Sequence, residues 1–187
     1  IYYAQETPGR PRSHDTGIEA SVWQSNDSLS PPPTPPNHEQ RTTNNEQRTT
    51  NTLLLITGPL ALNWTWRKWG MLPRIEHSDL CASNPPTPQR ADLWVRQHIH
   101  VRDEPDWIFI KLHTHGCIEG NTDVLLGQPM RNLHAYLRYK YNDGTQYKLH
   151  YVTAREMTNI IHAAEAGKEG NPGQYRDFIY APPPVKQ

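Results

Sequence analysis

Short apolar runs and helix-like stripes alternate along residues 52–166 of this chain. Thr52 to Thr57 is an apolar run that stops at Gly58-Pro59, which is typical of a buried strand. The apolar stretch Trp107 to Leu112 and the segment Tyr147 to Val152 predict two further strands. Each of these segments is short enough to be a strand of ordinary length.

Helical periodicity predicts three helices, two of which begin at recognisable caps. Thr87 followed by Pro88 is an N-cap with proline at the first helical position, and Thr153 with Glu156 has the spacing of a capping box. Gly167 is placed to close the last helix. The predicted ranges are Pro88 to about His100, about Pro129 to Tyr139, and a last helix from the capping box through Ala166.

Strands that alternate with helices favour right-handed crossovers and a parallel sheet, because parallel neighbours need a long connection between them. The sequence therefore predicts an α/β fold, with a mostly parallel sheet and flanking helices. Asn142-Asp143-Gly144 is expected to form a turn before the last strand.

A change in composition divides the chain into three predicted parts. Residues 26–51 contain a single plausible core residue, Leu29, and a proline run from Pro31 to Pro36. The hexapeptide Glu-Gln-Arg-Thr-Thr-Asn then occurs twice in this segment. Because such sequence cannot bury enough apolar surface to offset its ordering entropy, we predict a disordered Pro/Asn/Thr-rich insertion at 26–51. Residues 1–25 and 52–187 would form the α/β domain.

Charge and hydropathy indicate which kinds of molecule this chain could bind. The chain has 187 residues with 19 Lys plus Arg and 19 Asp plus Glu, so it has no excess of basic residues for nucleic acid or an anionic membrane. A neutral or small polar ligand fits better. No apolar run approaches the roughly 20 residues that span a bilayer, and no signal-peptide pattern is present. These absences favour a cytoplasmic location but do not determine it.

His113 and His115 are the first candidates for chemistry. They follow the apolar stretch Trp107 to Leu112 and are two residues apart, so in an extended chain both side chains project from one face. Imidazole ligates metals and titrates near physiological pH, which makes metal ligation or general acid–base work possible roles. The structural alternative is a pair of hydrogen-bonded loop histidines.

Two other segments are candidates for ligand binding. Ser13 to Gly17 contains His14 beside Asp15 and could orient a ligand, or could be an ordinary polar turn. Asn63 to Trp69 includes Trp64 and Trp66 among polar and cationic groups. Such tryptophans suit stacking on a sugar or cation–π contacts, and they also pack as lids over a core.

Arg155 is the last candidate, since it follows the predicted strand before the capping box and could bind an oxyanion or a carboxylate. If each of these segments ends a strand at one sheet edge, we expect His113, His115, Arg155, Trp64 and the Asp15 turn to line one cleft.

Several stretches together resemble the C-terminal half of bacterial proteins related to polysaccharide deacetylases of the NodB-homology type. The resemblance covers almost everything outside the insertion. The stretches are Ile1–Ala4, Arg10–Gly17, Gly58–Trp64, Arg67–Gly70, Leu72–Glu76, Lys111–Gly116 and Leu149–Glu156.

The resemblance implies a distorted β/α barrel and hydrolysis of N-acetyl or O-acetyl groups on a glycan with a divalent metal. It assigns a general-acid role to His113, or to His115 two residues on. The early Thr-Phe-Asp-Asp and His-x-x-x-His segments that supply the metal ligands in that family are absent from these 187 residues. We therefore expect a fragment of such a hydrolase that is inactive alone, with the metal belonging to the complete parent protein.

Two other classes of function stay open at this point. A non-catalytic carbohydrate-binding or scaffold domain would use the tryptophans without hydrolysis. A protein-interaction module would use Pro31 to Pro36, although no basic anchor lies beside these prolines. The oligomeric state cannot be derived from the sequence.

Overall fold

The computed structural model describes residues 1–5, 17–22, 52–116 and 118–184. The chain divides into two compact units. Unit 1 comprises Ile1–Ile56, His100–Trp107 and Val152–Gln187, and unit 2 comprises Thr57–Ile99 and Ile108–Tyr151. Residues 26–51, predicted to be disordered, lie outside the described residues, so that prediction stands untested.

Unit 1 contains a three-stranded antiparallel sheet in the order β2-β1-β3. Its strands are β1 (Tyr2–Gln5), β2 (Gly17–Glu19) and β3 (Thr52–Leu55). The central strand β1 pairs with both neighbours, so that Tyr3 lies opposite Ile18 on one side and Leu54 on the other. The apolar run that begins at Thr52 does form a strand, although its partner is antiparallel.

The helix of unit 1 is Ala154–Glu165, and its predicted capping box is confirmed. The Thr153 side chain accepts from the Glu156 N–H, and the Glu156 carboxylate accepts from the Thr153 N–H at 2.7 Å. Every residue from Asn159 to Glu165 is buried. A 3₁₀ helix, Pro172–Tyr175, follows.

Unit 2 is built from a β-hairpin and three α-helices. The hairpin pairs β4 (Ala61–Lys68) with β5 (Leu72–Glu76), and its turn uses positive φ at Trp69 (54°) and Gly70 (76°). Positive φ at successive turn residues matches the twist of an antiparallel hairpin. The helices are α1 (Pro88–Arg96), α2 (Thr122–Leu125) and α3 (Gln128–Lys140), with a 3₁₀ turn at Glu119–Asn121; the helix of unit 1 is α4.

The core of unit 2 lies around α1 and α3. Leu80, Ala91, Trp94 and Leu133 form a buried cluster. A second tie between these helices is polar: Asp92 Oδ1 accepts from the hydroxyls of Tyr136 and Tyr141, each at 2.7 Å, and from Lys140 Nζ at 2.9 Å. The start of α1 is as predicted, since the Thr87 side chain accepts from the Arg90 N–H, but the helix ends at Arg96 and not near His100.

The predicted parallel sheet and distorted barrel are wrong for the described part of the chain. Both sheets are antiparallel, and the segments Trp107 to Leu112 and Tyr147 to Val152 form no strand. Ile110 and Leu112 instead pack against the core of unit 2 from an extended segment. An apolar segment can be buried in this way without forming the hydrogen bonds of a strand. Apolarity alone therefore does not distinguish a strand from a buried segment without strand pairing, and the prediction was wrong.

Within the described ranges, every helix is too short or too polar to cross a membrane.

Candidate metal centre

Arg90, on α1, anchors the loop that follows β5. Its side chain is fully buried, and its Nε donates to both oxygens of Glu76 at 2.8 and 3.0 Å. Trp94 Nε1 donates to Glu76 as well, at 3.0 Å. The guanidinium also donates to four backbone carbonyls of the loop, those of His77, Asp79, Asn84 and Pro85.

In this arrangement every N–H group of the Arg90 guanidinium has an acceptor, and the buried carboxylate of Glu76 has a cationic partner. A buried ion pair is tolerated when additional hydrogen bonds complete both partners, as they do here. The contact to the Asp79 carbonyl, at 2.9 Å, means that the loop presents Asp79 from a backbone held by the helix.

The same loop is joined to the segment that carries the histidines. The His113 N–H donates to the Ser78 carbonyl at 3.0 Å, and the Leu80 N–H donates to the His113 carbonyl at 2.9 Å. These two bonds make an isolated parallel bridge between Asp79 and His113. Residues 34 positions apart in the chain are therefore set side by side.

Asp79, His113 and His115 converge at this bridge. Each offers one ligand atom, and these atoms all lie within 4.8 Å of one another. The rings of His113 and His115 stand edge to face, with their centroids 6.1 Å apart. Asp79 is half-buried, whereas both imidazoles are exposed, so an ion could approach from solvent.

One oxygen of Asp79 has no hydrogen-bond partner among the described residues. Oδ1 is shielded from solvent and accepts no hydrogen bond from any described residue. A buried carboxylate oxygen that is left unpaired costs free energy, and a bound ion is one of the ordinary explanations for such an atom. The unpaired oxygen lies on the one carboxylate of the cluster.

The donor set fits a divalent transition metal. Two imidazoles and a carboxylate are ligands that zinc accepts, and three protein ligands with an open position are typical of catalytic zinc sites. Zinc bonds of about 2.0–2.2 Å place tetrahedral ligand atoms about 3.3–3.6 Å apart. The exposed imidazole of His115, whose ring no described side chain hydrogen-bonds, can rotate toward that spacing.

The other predicted site residues are not all in this unit. Trp64 and Trp66 lie on β4 and are exposed, with the Arg74 guanidinium 4.1 Å from the ring of Trp66. Arg155 lies on α4 in unit 1, where it donates to Asp177 at 2.7 Å and to the carbonyls of Arg176 and Tyr180.

His14 and Asp15 lie outside the described residues. The single cleft predicted for these side chains joins residues of both units, and it stays a prediction.

Sequence reasoning missed Asp79, Ser78 and Arg90. The available signal was the polar run Glu76-His77-Ser78-Asp79, which begins at the last residue of β5. Such a run is also what an ordinary loop contains. Only the pairing of this loop with His113 distinguishes the two.

No protein-family model, no curated protein and no solved structure matches this chain.

Proposed function

We propose that unit 2 binds a divalent metal ion through Asp79, His113 and His115, as the centre of a hydrolase of the polysaccharide deacetylase type that acts on an acylated glycan. The observation that carries the proposal is the convergence of one ligand atom from each of these three side chains, all within 4.8 Å of one another. The buried Oδ1 of Asp79, which accepts no hydrogen bond from a described residue, supports it. The resemblance of Lys111–Gly116 to the deacetylase stretch supports the class of reaction.

The three side chains have separable roles in this proposal. Asp79 supplies the negative charge, and its backbone is held by Arg90. His113 and His115 supply neutral nitrogen ligands, so the acid role that the resemblance assigned to one of them moves to a group still to be identified. A divalent metal contributes Lewis acidity to a hydrolytic site.

These ligands are not the ones that the resemblance implied. The early Thr-Phe-Asp-Asp and His-x-x-x-His segments do not occur in the sequence, and Asp79 belongs to neither. The proposed centre is therefore a property of this chain's own loop and histidine segment. It replaces the expectation that the metal belongs only to a complete parent protein and that these residues are inactive alone.

The tryptophans of the hairpin support a glycan as the ligand. Trp64 and Trp69 are 56% and 76% exposed, and Trp66 is 38% exposed. Exposed aromatic faces with polar neighbours suit stacking on sugar rings. The same observation favours the alternative function, a carbohydrate-binding domain without catalysis.

Zinc titration of the whole chain by calorimetry tests the metal proposal. We expect one zinc ion per chain, and we expect His115→Ala to weaken binding at least 100-fold. The matched control is His134→Ala, which removes another exposed histidine of unit 2, one that is hydrogen-bonded to Tyr151 at 2.8 Å. Absence of zinc binding by the unaltered chain, or equal loss in the control, would overturn the proposal.

An acetylated chito-oligosaccharide separates the two functions. Acetate release that stops on addition of a chelator supports the hydrolase. Binding of the oligosaccharide that survives chelation, with no acetate released, supports the binding domain, and Trp64→Ala should then weaken it.

A further inference from the structure

We infer that Ser78 is a positioning residue for the metal centre, because its hydroxyl engages Nδ1 of His113 and so assigns Nε2 to the metal. This inference rests on the proposed function. It goes further by naming the ligating nitrogen and the group that selects it.

Ser78 holds His113 at two points. The Ser78 carbonyl accepts from the His113 N–H at 3.0 Å, and Ser78 Oγ lies 2.9 Å from His113 Nδ1. One residue thereby fixes both the backbone and the ring of the histidine. His113 is otherwise exposed, and apart from the edge contact with His115 this hydrogen bond is the interaction that orients its ring.

Ser78 is itself held in place. It is only 6% exposed, and Gly58 packs directly against it. A Cβ at Gly58 would lie 2.6 Å from Ser78 Cβ, would overlap Ser78 Oγ, and would stand 3.0 Å from the Lys111 carbonyl. The absence of a side chain at position 58 therefore leaves the space in which the serine hydroxyl reaches His113.

The hydrogen bond decides the tautomer once a metal is bound. A neutral imidazole carries one N–H, and only the other nitrogen has a lone pair for a metal. With Nδ1 facing Ser78 Oγ, the N–H belongs at Nδ1, where it donates to the hydroxyl oxygen. Partners of this kind orient ligating histidines in metal sites, and their removal costs roughly 10- to 100-fold in metal affinity.

His115 differs from His113 in this respect. No side chain among the described residues hydrogen-bonds to its ring, and its recorded ring contact is the edge contact with His113. We therefore assign His113 as the fixed ligand and His115 as the ligand that adapts to the ion. Loss of the Ser78 hydroxyl should change the orientation of the His113 ring and leave that of His115 unchanged.

Long-range ¹H–¹⁵N correlation spectra of the zinc-loaded, unaltered chain test the tautomer without any substitution. We expect Nδ1 of His113 to be protonated and Nε2 to bear the metal. Zinc bound at Nδ1 of His113 would overturn the inference while leaving the metal centre intact.

Ser78→Ala tests the contribution of the hydroxyl. We expect zinc affinity to fall roughly 10- to 100-fold with the stoichiometry unchanged, and the spectrum of apo His113 to show both tautomers. The control is Ser83→Ala, an exposed serine of the same loop whose hydroxyl lies 3.2 Å from Cys81 Sγ; its affinity should stay within about twofold of the unaltered chain.

The outcomes distinguish the two proposals. If the unaltered chain binds no zinc, the proposed function fails and this inference fails with it. If the unaltered chain binds zinc but Ser78→Ala binds it equally well with an unchanged His113 tautomer, only the role of Ser78 is wrong.

Discussion

Two clusters in this chain combine a carboxylate with histidine, and they are built in opposite ways. In unit 2, Asp79 lies beside the exposed rings of His113 and His115. In unit 1, Glu165 and His162 are buried on α4, at 1% and 6% exposure. Tyr3 completes the second cluster, because its hydroxyl donates to Glu165 Oε2 at 2.8 Å.

An unpaired oxygen does not by itself separate the clusters. Asp79 Oδ1 and Glu165 Oε1 are both buried without a partner among the described residues. The neighbours of the two carboxylates differ. Glu165 Oε2 already interacts with Tyr3 and with His162 Nδ1, which lies 2.8 Å away.

The phenol of unit 1 is also a poor ligand. Burial, followed by the negative charge of Glu165 and the hydrogen bond to it, raises the pKa of Tyr3 well above its ordinary value, so the hydroxyl stays protonated. A protonated phenol donates a hydrogen bond and does not replace an imidazole in a metal site. We conclude that two accessible imidazoles make the cluster of unit 2 suited to a metal, whereas the cluster of unit 1 stabilises the fold.

The largest expected effect on the free energy of unfolding comes from Arg90, which holds the loop that carries Asp79. Arg90→Met leaves Glu76 buried at 2% exposure without its cationic partner and frees the loop carbonyls. Removing one partner of such a pair costs about 3–5 kcal/mol. Urea denaturation should show this loss, together with weakened zinc binding.

Arg96→Ala, an exposed arginine of the same helix, should change stability by less than about 0.5 kcal/mol. A small effect of Arg90→Met would mean that the loop holds Asp79 without this anchor.

Asp79→Asn tests the carboxylate of unit 2. The substitution keeps the shape but removes the charge, and we expect zinc affinity to fall at least 100-fold, which is about 2.7 kcal/mol. The metal-free chain should not lose stability, because Oδ1 of Asp79 accepts no hydrogen bond from a described residue and the substitution breaks none there. Competition with a coloured chelator measures the affinity, and unchanged binding would remove Asp79 from the centre.

Glu165→Gln is the matched change in unit 1 and should give the reverse result. It replaces charge-assisted bonds to Tyr3 and His162 with neutral ones, at an expected cost of about 1–2 kcal/mol in unfolding free energy. Zinc binding should be unaffected. Loss of zinc by this variant would show that the comparison assigns the wrong cluster to the metal.

The smallest expected effect is that of Tyr3 on stability, and it appears only at alkaline pH. Because the folded state raises the pKa of Tyr3, folding favours the protonated phenol. This contribution is complete below the ordinary tyrosine pKa of about 10 and is lost as the pH rises through the folded value. Melting curves between pH 8 and 11 should therefore show a steeper alkaline decline for the unaltered chain than for Tyr3→Phe. Parallel declines would contradict this role.

Local signals in the sequence predicted local structure correctly. The caps at Thr87 and Thr153 mark true helix starts, and Asp143 forms the expected turn by accepting from three backbone N–H groups, which lowers its pKa to about 2. Caps and turns are encoded within four or five residues. The spacing of His113 and His115 likewise placed two imidazoles near each other.

Pairing between distant segments could not be predicted in the same way. The run Trp107 to Leu112 has the apolarity of a strand but lacks a ladder partner, whereas the strands that do form pair antiparallel. A strand exists only where another segment supplies its hydrogen bonds, and the sequence of one segment does not name that partner.

The sequence by itself determined the caps at Thr87 and Thr153, the Asp143 turn and the spacing of the two histidines. It did not predict α2 or the turn of the β4–β5 hairpin. The tertiary structure alone decided that Asp79 would meet them, because a parallel bridge brings together residues 34 positions apart and Arg90 holds the loop from a helix that follows it. The chemistry of the centre depends on such contacts between residues far apart in the sequence. Bringing those residues together costs chain entropy, which only the packing of the whole unit offsets.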